Sequence, residues 1–186
     1  SGDNLETAVQ TAIKAGILTE NDSKNKHACM TGEDFRNIVG NMRKEFDNEG
    51  KVKMIIQNKD QFRDIATNLR VLARAIPYDK HLLVVGLKEL GRKVAVTGDG
   101  INDVDALHSS DVGFSMGAGC SVAKDASSMI LTDNNFDSTM KAVMWGRNIY
   151  ANVRRFIQFQ VTVNITALIV VFLSTIFKGY SCLNVV

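Results

Sequence analysis

The stretch 94-VAVTGDGINDVDAL-107 decides how the rest of the chain is interpreted. Its first residues are apolar and favour a buried β-strand, and they run directly into a turn with two glycines around Asp99. Two further carboxylates follow, at Asp103 and Asp105. Mg²⁺ prefers oxygen ligands and retains several waters, so one or two carboxylates at a rigid strand end suffice to bind it. We therefore expect Asp99 to be a Mg²⁺ ligand and Asp103 to support the metal site.

Short apolar stretches alternate with helical patterns on both sides of this turn. The sequence predicts strands at 71–76, 93–97, 112–116 and 129–131, and helices at 4–15, from 31 onward, and at 79–90, 102–109 and 121–127. This alternation indicates an α/β fold in which helices cover both faces of a parallel sheet. Residues 47–64 are charged and lack a clear period, and we expect most of them to form a surface excursion.

We expect three polar clusters to fall just after strands, and they comprise residues 1–3, at the start of the sequence, and residues 77–80 and 97–103, which follow predicted strands. Ligands of parallel sheets bind beyond the carboxyl ends of the strands, so we expect the clusters to converge on one rim. Asp and Asn also favour turns and helix caps, which makes a glycine-rich acidic turn weak evidence when taken alone. The spacing TGDGxND directly after an apolar strand is much more specific.

Several residues on this rim have the chemistry to hold a phosphate. A lysine can neutralise a phosphorylated carboxylate, an arginine can reach a nucleotide, and hydroxyl, amide and backbone N–H groups can donate to phosphoryl oxygens. Each cation taken alone would be an ordinary surface residue, and only its position before the TGDG strand favours a role. The candidates are Ser1, Gly2, Arg74, Lys80 and Asn102.

Charge and cysteine content exclude some classes of function. The formal net charge of +2 gives no indication of a nucleic-acid partner. The cysteines are odd in number and far apart, at Cys29, Cys120 and Cys182, which predicts free thiols in a reducing compartment rather than a disulfide framework.

The C-terminal part of the chain has a different composition. Residues 136–178 contain no proline and one glycine, Gly146, which predicts a single long helix. Residues 156–177 carry no charge and span roughly 33 Å at about 1.5 Å per residue, the thickness of a hydrocarbon core. The alternative is a buried core helix, but the length and the flanking charges favour a membrane span. Arginines precede this run and a single lysine follows it, so we expect the α/β domain to be cytoplasmic.

Six segments together resemble one protein family. They are 1-SGDN, 72-LARAIPYDKH, 94-VAVTGDGIND, 111-DVGFSMG, 122-VAKDASSMILTDNNF and 141-KAVMWGRNIY. They are similar to the P-type ATPases and, within these, to the plasma-membrane type of calcium pump. The resemblance implies that residues 1–135 are the C-terminal part of a haloacid-dehalogenase-like phosphorylation domain. Residues 136–155 would then be a stalk, 156–177 the fifth transmembrane helix, and 178–186 the start of an extracytoplasmic loop.

The resemblance also implies a role for each candidate residue. Asp99 would bind Mg²⁺ with support from Asp103, and Lys80 would stabilise an aspartyl phosphate. The remaining assignments are Ser1, Gly2 and Asn102 for phosphate, Asp3 and Arg74 for ATP, and Asn164 for a Ca²⁺ pathway. Expected partners are ATP, Ca²⁺ as the transported ion, the lipid bilayer, the actuator and nucleotide domains, and other transmembrane helices.

Departures from the family pattern bear on these expectations. The family has proline in place of Asp105 and a small residue in place of Val104, and a third carboxylate near the metal would oppose phosphate binding. Ala167 replaces a glutamate of the intracellular-store pumps, which fits the plasma-membrane type. The segment with the phosphorylated aspartate is absent, so we expect a fragment that is inactive alone.

Two alternative functions remain open from the sequence. The chain could be a soluble hydrolase of the same fold with an amphipathic tail, or a non-catalytic interaction module that has lost its chemistry. Salt or carbonate would release the former from membranes, whereas a pump segment requires detergent. The latter would show no Mg²⁺-dependent binding of phosphate analogues.

Overall fold

A computed structural model of the chain describes residues 2–19, 21–22, 25, 27–46, 50 and 52–179. The chain divides into two compact units, Ser1–Asn135 and Phe136–Val186.

The first unit contains short strands and helices. Their order is α1 (Leu5–Lys14), β1 (Cys29–Thr31), α2 (Gly32–Val39), β2 (Met42–Phe46), β3 (Val52–Ile56), α3 (Lys59–Asn68), β4 (Val71–Ala73), α4 (Pro77–Glu89), β5 (Ala95–Gly98), α5 (Val104–Ser109), β6 (Val112–Met116), α6 (Ser121–Ala126) and β7 (Met129–Leu131). A 3₁₀ turn at Ile101–Asp103 joins β5 to α5.

The strands that alternate with helices pair in parallel, as predicted. β4 pairs with β1, with Leu72 opposite Met30, and β5, β6 and β7 form a three-stranded sheet in that order. In this sheet Thr97 lies opposite Phe114, and Ser115 lies opposite Ile130. Among the described residues β4 and β5 are not paired with each other, so the parallel strands form two sheets rather than one.

The main core of this unit lies between α2, α3 and α4. Phe35, Phe62 and Leu82 are fully buried, and Phe35 packs edge-on against Phe62 with ring centroids 6.2 Å apart. Full burial of side chains of this size contributes about 1.5–3 kcal/mol each. This cluster therefore fixes α4, whose first turn carries Lys80.

The expectation of a surface excursion at residues 47–64 is wrong. β2 and β3 form an antiparallel hairpin, and α3 follows it with Phe62, Ile65 and Ala66 buried. Ile56, at the end of β3, is also buried in the main core. One face of α3 is charged and exposed, which obscures the apolar face in the sequence. Residues 47–49 and 51 lie outside the described part.

In the second unit the described residues form one helix, α7 (Asp137–Lys178), which has 42 residues and is about 63 Å long at about 1.5 Å per residue. Gly179 follows it with φ 69°, a left-handed C-terminal cap of the kind that glycine favours. By length and composition the helix is suited to cross a membrane, and its most apolar window is not buried. The buried-core alternative is therefore not supported.

Candidate functional site

The site is built where the end of β5 meets the first turn of α4. Lys80 lies in that turn, and its Nζ donates to Asp103 Oδ1 at 2.6 Å. Asp103 closes the 3₁₀ turn that follows β5. Both side chains are largely buried, which strengthens the charge-assisted hydrogen bond. Two of the polar clusters predicted from the sequence therefore meet as expected.

Gly98 allows Asp103 to approach the strand end this closely. A Cβ atom at position 98 would lie 2.5 Å from Asp103 Cβ and 2.7 Å from Asp103 Cγ. No side chain fits there without moving the carboxylate. A Cβ atom at position 100 would lie 3.8 Å from its nearest neighbours, in ordinary contact. The first glycine of the turn is thus a packing requirement, whereas the second is not.

Asp99 is exposed at the end of β5, and its carboxylate has no hydrogen-bond or ion-pair partner among the described residues. Its backbone is held by the loop after β6, where Cys120 N donates to Asp99 O at 2.9 Å. Gly119 packs against the same carbonyl, which a Cβ there would approach to 3.0 Å. The backbone of Asp99 is therefore fixed while its carboxylate remains available to a ligand.

Lys80, Asp99 and Asp103 line one cavity of about 420 Å³. The other lining residues come from β4 and the residues after it, from α4, from β5 and from α5, and they are Leu72, Ala75, Leu83, Val84, Ala95, Val96, Thr97, Gly98 and Ala106. The cavity has apolar walls and a charged rim at the carboxyl end of β5.

The donor set fits Mg²⁺ beside a phosphate. The described residues include no group of three His, Cys, Asp or Glu side chains that would hold a metal by themselves. Mg²⁺ does not need one, because it binds through one or two carboxylates and completes its shell with water and phosphate oxygens. Asp99 supplies a carboxylate that none of the described residues binds, and Lys80 offsets the charge of Asp103 beside it. This donor set is therefore compatible with Mg²⁺ bound beside an anion.

The structure does not bring every predicted site residue to this cavity. Gly2, Asp3, Arg74 and Asn102 are exposed and are not among its lining residues. Arg74 has φ 47°, an unusual left-handed conformation for a residue other than glycine. Ser1 lies outside the described residues. Their assignment to phosphate and ATP stays a prediction.

Two further residues that the sequence singles out are Asp105 and Asn164. Asp105 is exposed on α5 and does not line the cavity, so its charge lies outside the pocket that holds the other two carboxylates. Asn164, in the second unit, accepts a hydrogen bond from Gln160 Nε2 at 3.5 Å, one helical turn away. This weak contact leaves most of the hydrogen-bonding capacity of Asn164 available.

Asp111 fixes the start of the strand that carries the site. Its Oδ2 accepts from Val94 N at 2.9 Å, and Lys93 Nζ lies 3.4 Å from its Oδ1. The hydrogen bond from Val94, followed by the nearby lysines, lowers the pKa of the Asp111 carboxyl below its usual value. Asp111 thereby ties the segment before β5 to the start of β6.

Sequence reasoning missed two contributors to the site. The loop at 117–120 supports Asp99, and Asp79 is fully buried beside Lys80. For Asp79 a local signal was present, since a carboxylate two residues after a proline is typical of the first turn of a helix. Its partner, Arg36, lies 43 residues earlier, and no local pattern indicates that contact.

Comparison with known proteins supports the fold and the family that the sequence indicates. Residues 83–143 match the family model of haloacid dehalogenase-like hydrolases. Over 178 residues the chain is 48% identical to plasma membrane calcium-transporting ATPase 4 of Homo sapiens, which covers 92% of the chain and 13% of that protein. By sequence, this chain belongs with the plasma membrane calcium-transporting ATPases. The putative plasma membrane-type calcium-transporting ATPase 13 of Arabidopsis thaliana is 43% identical, over 96% of the chain and 16% of its own length.

A solved structure supports the fold of this calcium-transporting ATPase relative. The crystal structure of a zinc-transporting PIB-type ATPase in its E2.Pi state matches with TM-score 0.51 and 21% identity, over 70% of this chain and 27% of that one. At this identity the likeness concerns the fold alone. The predicted haloacid-dehalogenase-like fold and family are confirmed, and so is the membrane localisation, since the relatives are named for the plasma membrane and α7 is suited to cross one. The chain spans only 13–16% of the length of these relatives.

Proposed function

We propose that this chain is the segment of an ATP-driven calcium pump that carries the Mg²⁺ and phosphate end of the catalytic site. The complete protein would transfer the γ-phosphoryl group of ATP to an aspartate and couple hydrolysis of that aspartyl phosphate to Ca²⁺ transport. The observation that carries the proposal is the convergence of Lys80, Asp99 and Asp103 on one cavity in a relative of calcium-transporting ATPases.

The surroundings of the three residues support the roles that we propose for them. Asp99, exposed and unpartnered among the described residues, would bind Mg²⁺, and Asp103 would hold the water shell of the ion. Bound Mg²⁺ would neutralise charge on the phosphoryl oxygens. Lys80, already 2.6 Å from Asp103, would turn its ammonium group to the phosphoryl group as negative charge is placed in the cavity. In the transfer an aspartate oxygen bonds to phosphorus as the bond to the leaving ADP oxygen breaks.

The phosphorylated aspartate would be supplied by a segment outside this sequence. β4 and β5 each have an edge that is unpaired among the described residues, and both strands contribute to the cavity. Unpaired strand edges with apolar surroundings are ready to accept further chain by β-pairing. We therefore place the entry of that segment between β4 and β5, next to Lys80 and Asp99. Ser1, Gly2 and Asn102 would then contact phosphate, and Asp3 and Arg74 would contact ATP.

The second unit would provide the link to the ion path. In the complete pump α7 would act as stalk over 136–155 and as membrane span over 156–177, with the first unit on the cytoplasmic side. Arg154 and Arg155 precede the uncharged run, which supports this orientation. A polar side chain at membrane depth is costly unless it faces other helices or an ion path, so Asn164 is the candidate for Ca²⁺.

The test uses the full-length protein in sealed inside-out vesicles and measures ATP-dependent Ca²⁺ uptake. Lys80→Met should reduce uptake by about 100-fold, the loss typical for one electrostatic stabiliser of a transition state. Lys14→Met, at an exposed lysine of α1, is the matched control and should transport normally. Equal uptake by both variants would refute the role of Lys80.

A second measurement separates the pump from the two alternatives. A pump segment should remain in membranes after carbonate washing and should be extracted by detergent. A hydrolase with an amphipathic tail would be released by carbonate and would hydrolyse phosphate esters without Ca²⁺ uptake. A non-catalytic module would show no Mg²⁺-dependent binding of phosphate analogues in the full-length protein.

A further inference from the structure

Asp79 is the one fully buried carboxylate among the described residues, with 0% of its surface exposed. It lies in the first turn of α4, directly before Lys80. A carboxylate removed from water is strongly destabilising unless it is paired and hydrogen-bonded. Partners inside the fold must therefore compensate for the burial of the Asp79 carboxylate.

The same carboxylate oxygen of Asp79 accepts both of its hydrogen bonds. Oδ2 accepts from the backbone N of Ile76 at 2.9 Å, which caps the start of α4, and from Arg36 Nη1 of α2 at 2.5 Å. Oδ1 is buried and has no partner among the described residues. The carboxylate thus joins the first turn of α4 to α2 through two bonds that converge on one atom.

The packing around this pair leaves little freedom. Gly32, at the start of α2, lies so close that a Cβ there would contact the Asp79 carboxylate and come within 3.0 Å of Ala75 Cα. The turn that leads into α4 therefore packs closely against α2 at Gly32 and is bonded to it through Arg36. Since Lys80 directly follows Asp79, these contacts also fix the backbone from which the Lys80 side chain extends to Asp103.

Lys80 occupies an electrostatically unfavourable position. The N-terminus of a helix carries partial positive charge, so an ammonium group on its first turn is repelled, whereas a carboxylate there is attracted. Asp79 supplies that carboxylate one residue earlier. Loss of its charge would remove the ion-pair partner of Arg36 near the helix end, and Lys80 would keep only Asp103 as its counter-charge.

We propose that Asp79, held by Arg36, is a positioning residue for Lys80. It touches no reacting atom, and it acts by keeping the first turn of α4 in the conformation that aims Lys80 at the cavity. This inference rests on the proposed function, because it presumes that Lys80 acts on a phosphoryl group. It predicts that loss of the pair reduces the rate of phosphoryl transfer without weakening the binding of ATP.

The experiment uses the full-length protein in membranes and measures the rate of phosphoenzyme formation, the KM for ATP, and the amount of trypsin-resistant protein. Asp79→Asn keeps the size of the side chain and an oxygen for Ile76 N but turns the ion pair with Arg36 into a neutral contact. The rate per trypsin-resistant molecule should fall about tenfold, as expected for a small misplacement of a catalytic group, and KM should stay within about twofold.

Four further variants make the test specific. Arg36→Met should reproduce the rate loss, and Arg36→Lys, which keeps the charge, should recover much of it. Asp79→Asn combined with Lys80→Met should be no slower than Lys80→Met alone, because the two residues act through one group. Asp60→Asn, at a carboxylate that is 97% exposed and 3.7 Å from Arg63, is the matched control and should behave as the parent.

Failure of the inference and failure of the proposed function give different results. If Lys80→Met reduces the rate but Asp79→Asn only lowers the amount of trypsin-resistant protein, Asp79 is structural and the inference is wrong. Additive losses in the double variant would also overturn it. If Lys80→Met itself has no effect, the proposed role of Lys80 fails, and the inference falls with it.

Discussion

Lys80 and Asp103 lie 23 residues apart in the sequence, and their side chains meet at 2.6 Å on the wall of one cavity. Lys80 comes from the first turn of α4 and Asp103 from the 3₁₀ turn after β5. The pair therefore closes the connection between two elements that carry the predicted metal and phosphate ligands. Because both charges lie at the cavity, an anion that binds there could replace Asp103 as the ion-pair partner of Lys80.

The closeness of this pair depends on Gly98. Gly98→Ala would put a Cβ 2.5 Å from Asp103 Cβ, so the carboxylate must move and the contact with Lys80 must lengthen. We expect a loss of about 1–3 kcal/mol in unfolding free energy from overpacking, together with slower phosphoenzyme formation. Thermal unfolding in detergent and phosphoenzyme assays on the full-length protein measure both. Gly100→Ala, with 3.8 Å of clearance, should change neither, and equal effects of the two variants would contradict the account.

Much of the fold was accessible from the sequence because its signals are local. The strands at Val112–Met116 and Met129–Leu131 have the predicted bounds, since each apolar run is flanked by turn or polar residues. Thr31 accepts from Asp34 N and donates to its carboxylate, so its side chain caps α2, which starts where the sequence predicts a helix. The helix α7 follows from the lack of proline over residues 136–178.

The remaining parts of the fold depend on contacts that local patterns do not report. β1 has three residues and no period, and it becomes a strand by pairing with β4 some 40 residues later. The hairpin of β2 and β3 has mainly exposed side chains, so its charges suggested a loop. In α3, Phe62, Ile65 and Ala66 do have helical spacing, and a weighting of that face over the total charge would have found it.

The site shows the same division. The spacing of TGDGxND and the position of Lys80 predicted the residues that meet in the cavity, because each follows a strand of a parallel sheet. The support of Asp99 by Cys120 and of α4 by Arg36 involves residues 21 and 43 positions away, respectively, and required the structure.

Asp111 should make stability depend on pH. Its folded-state pKa is lowered, mainly by the hydrogen bond from Val94 N, so its contribution is fully present above the ordinary Asp pKa of 3.8 and is lost as the pH falls through the lowered value. Asp111→Asn should therefore reduce the melting temperature at neutral pH, and the difference from the parent should shrink below about pH 4. Thermal unfolding of the chain in detergent between pH 7 and 3 measures this. Asp60→Asn is the exposed control, and a difference that does not change with pH would rule out the linkage.

Asn164 can be tested as an ion ligand against its neighbour on the helix. Its hydrogen bond with Gln160 is weak, because the donor and acceptor are 3.5 Å apart. Either residue can therefore be replaced without a large structural loss. Asn164→Ala should weaken the apparent Ca²⁺ affinity of transport by at least about tenfold, whereas Gln160→Ala should not. Ca²⁺ uptake by the full-length protein in vesicles measures both. If the two variants have the same Ca²⁺ affinity, Asn164 has only a structural role in the helix and is not an ion ligand.

The unbroken helix α7 predicts mechanical coupling between its two ends. Insertion of two glycines after Arg147 should leave phosphoenzyme formation largely intact but reduce Ca²⁺ transport per ATP. The reason is that each glycine destabilises a helix by about 1 kcal/mol relative to alanine, which makes the helix more flexible at that point. Insertion of two alanines at the same place shifts the register equally and keeps the helix stiff, so it isolates the effect of flexibility. Equal transport per ATP in both variants would argue against a stiff link.

The most direct test of the central claim is the amount of phosphoenzyme formed from ATP and Mg²⁺ by Asp99→Asn in the full-length protein. The carboxylate of Asp99, at the end of β5, has no partner within the described part of the chain, whereas Asp105 is exposed outside the cavity and provides a matched control. We predict that Asp99→Asn forms no detectable phosphoenzyme and that Asp105→Asn forms as much as the parent. Normal phosphoenzyme in Asp99→Asn would contradict the assignment of the metal site and, with it, the proposed function.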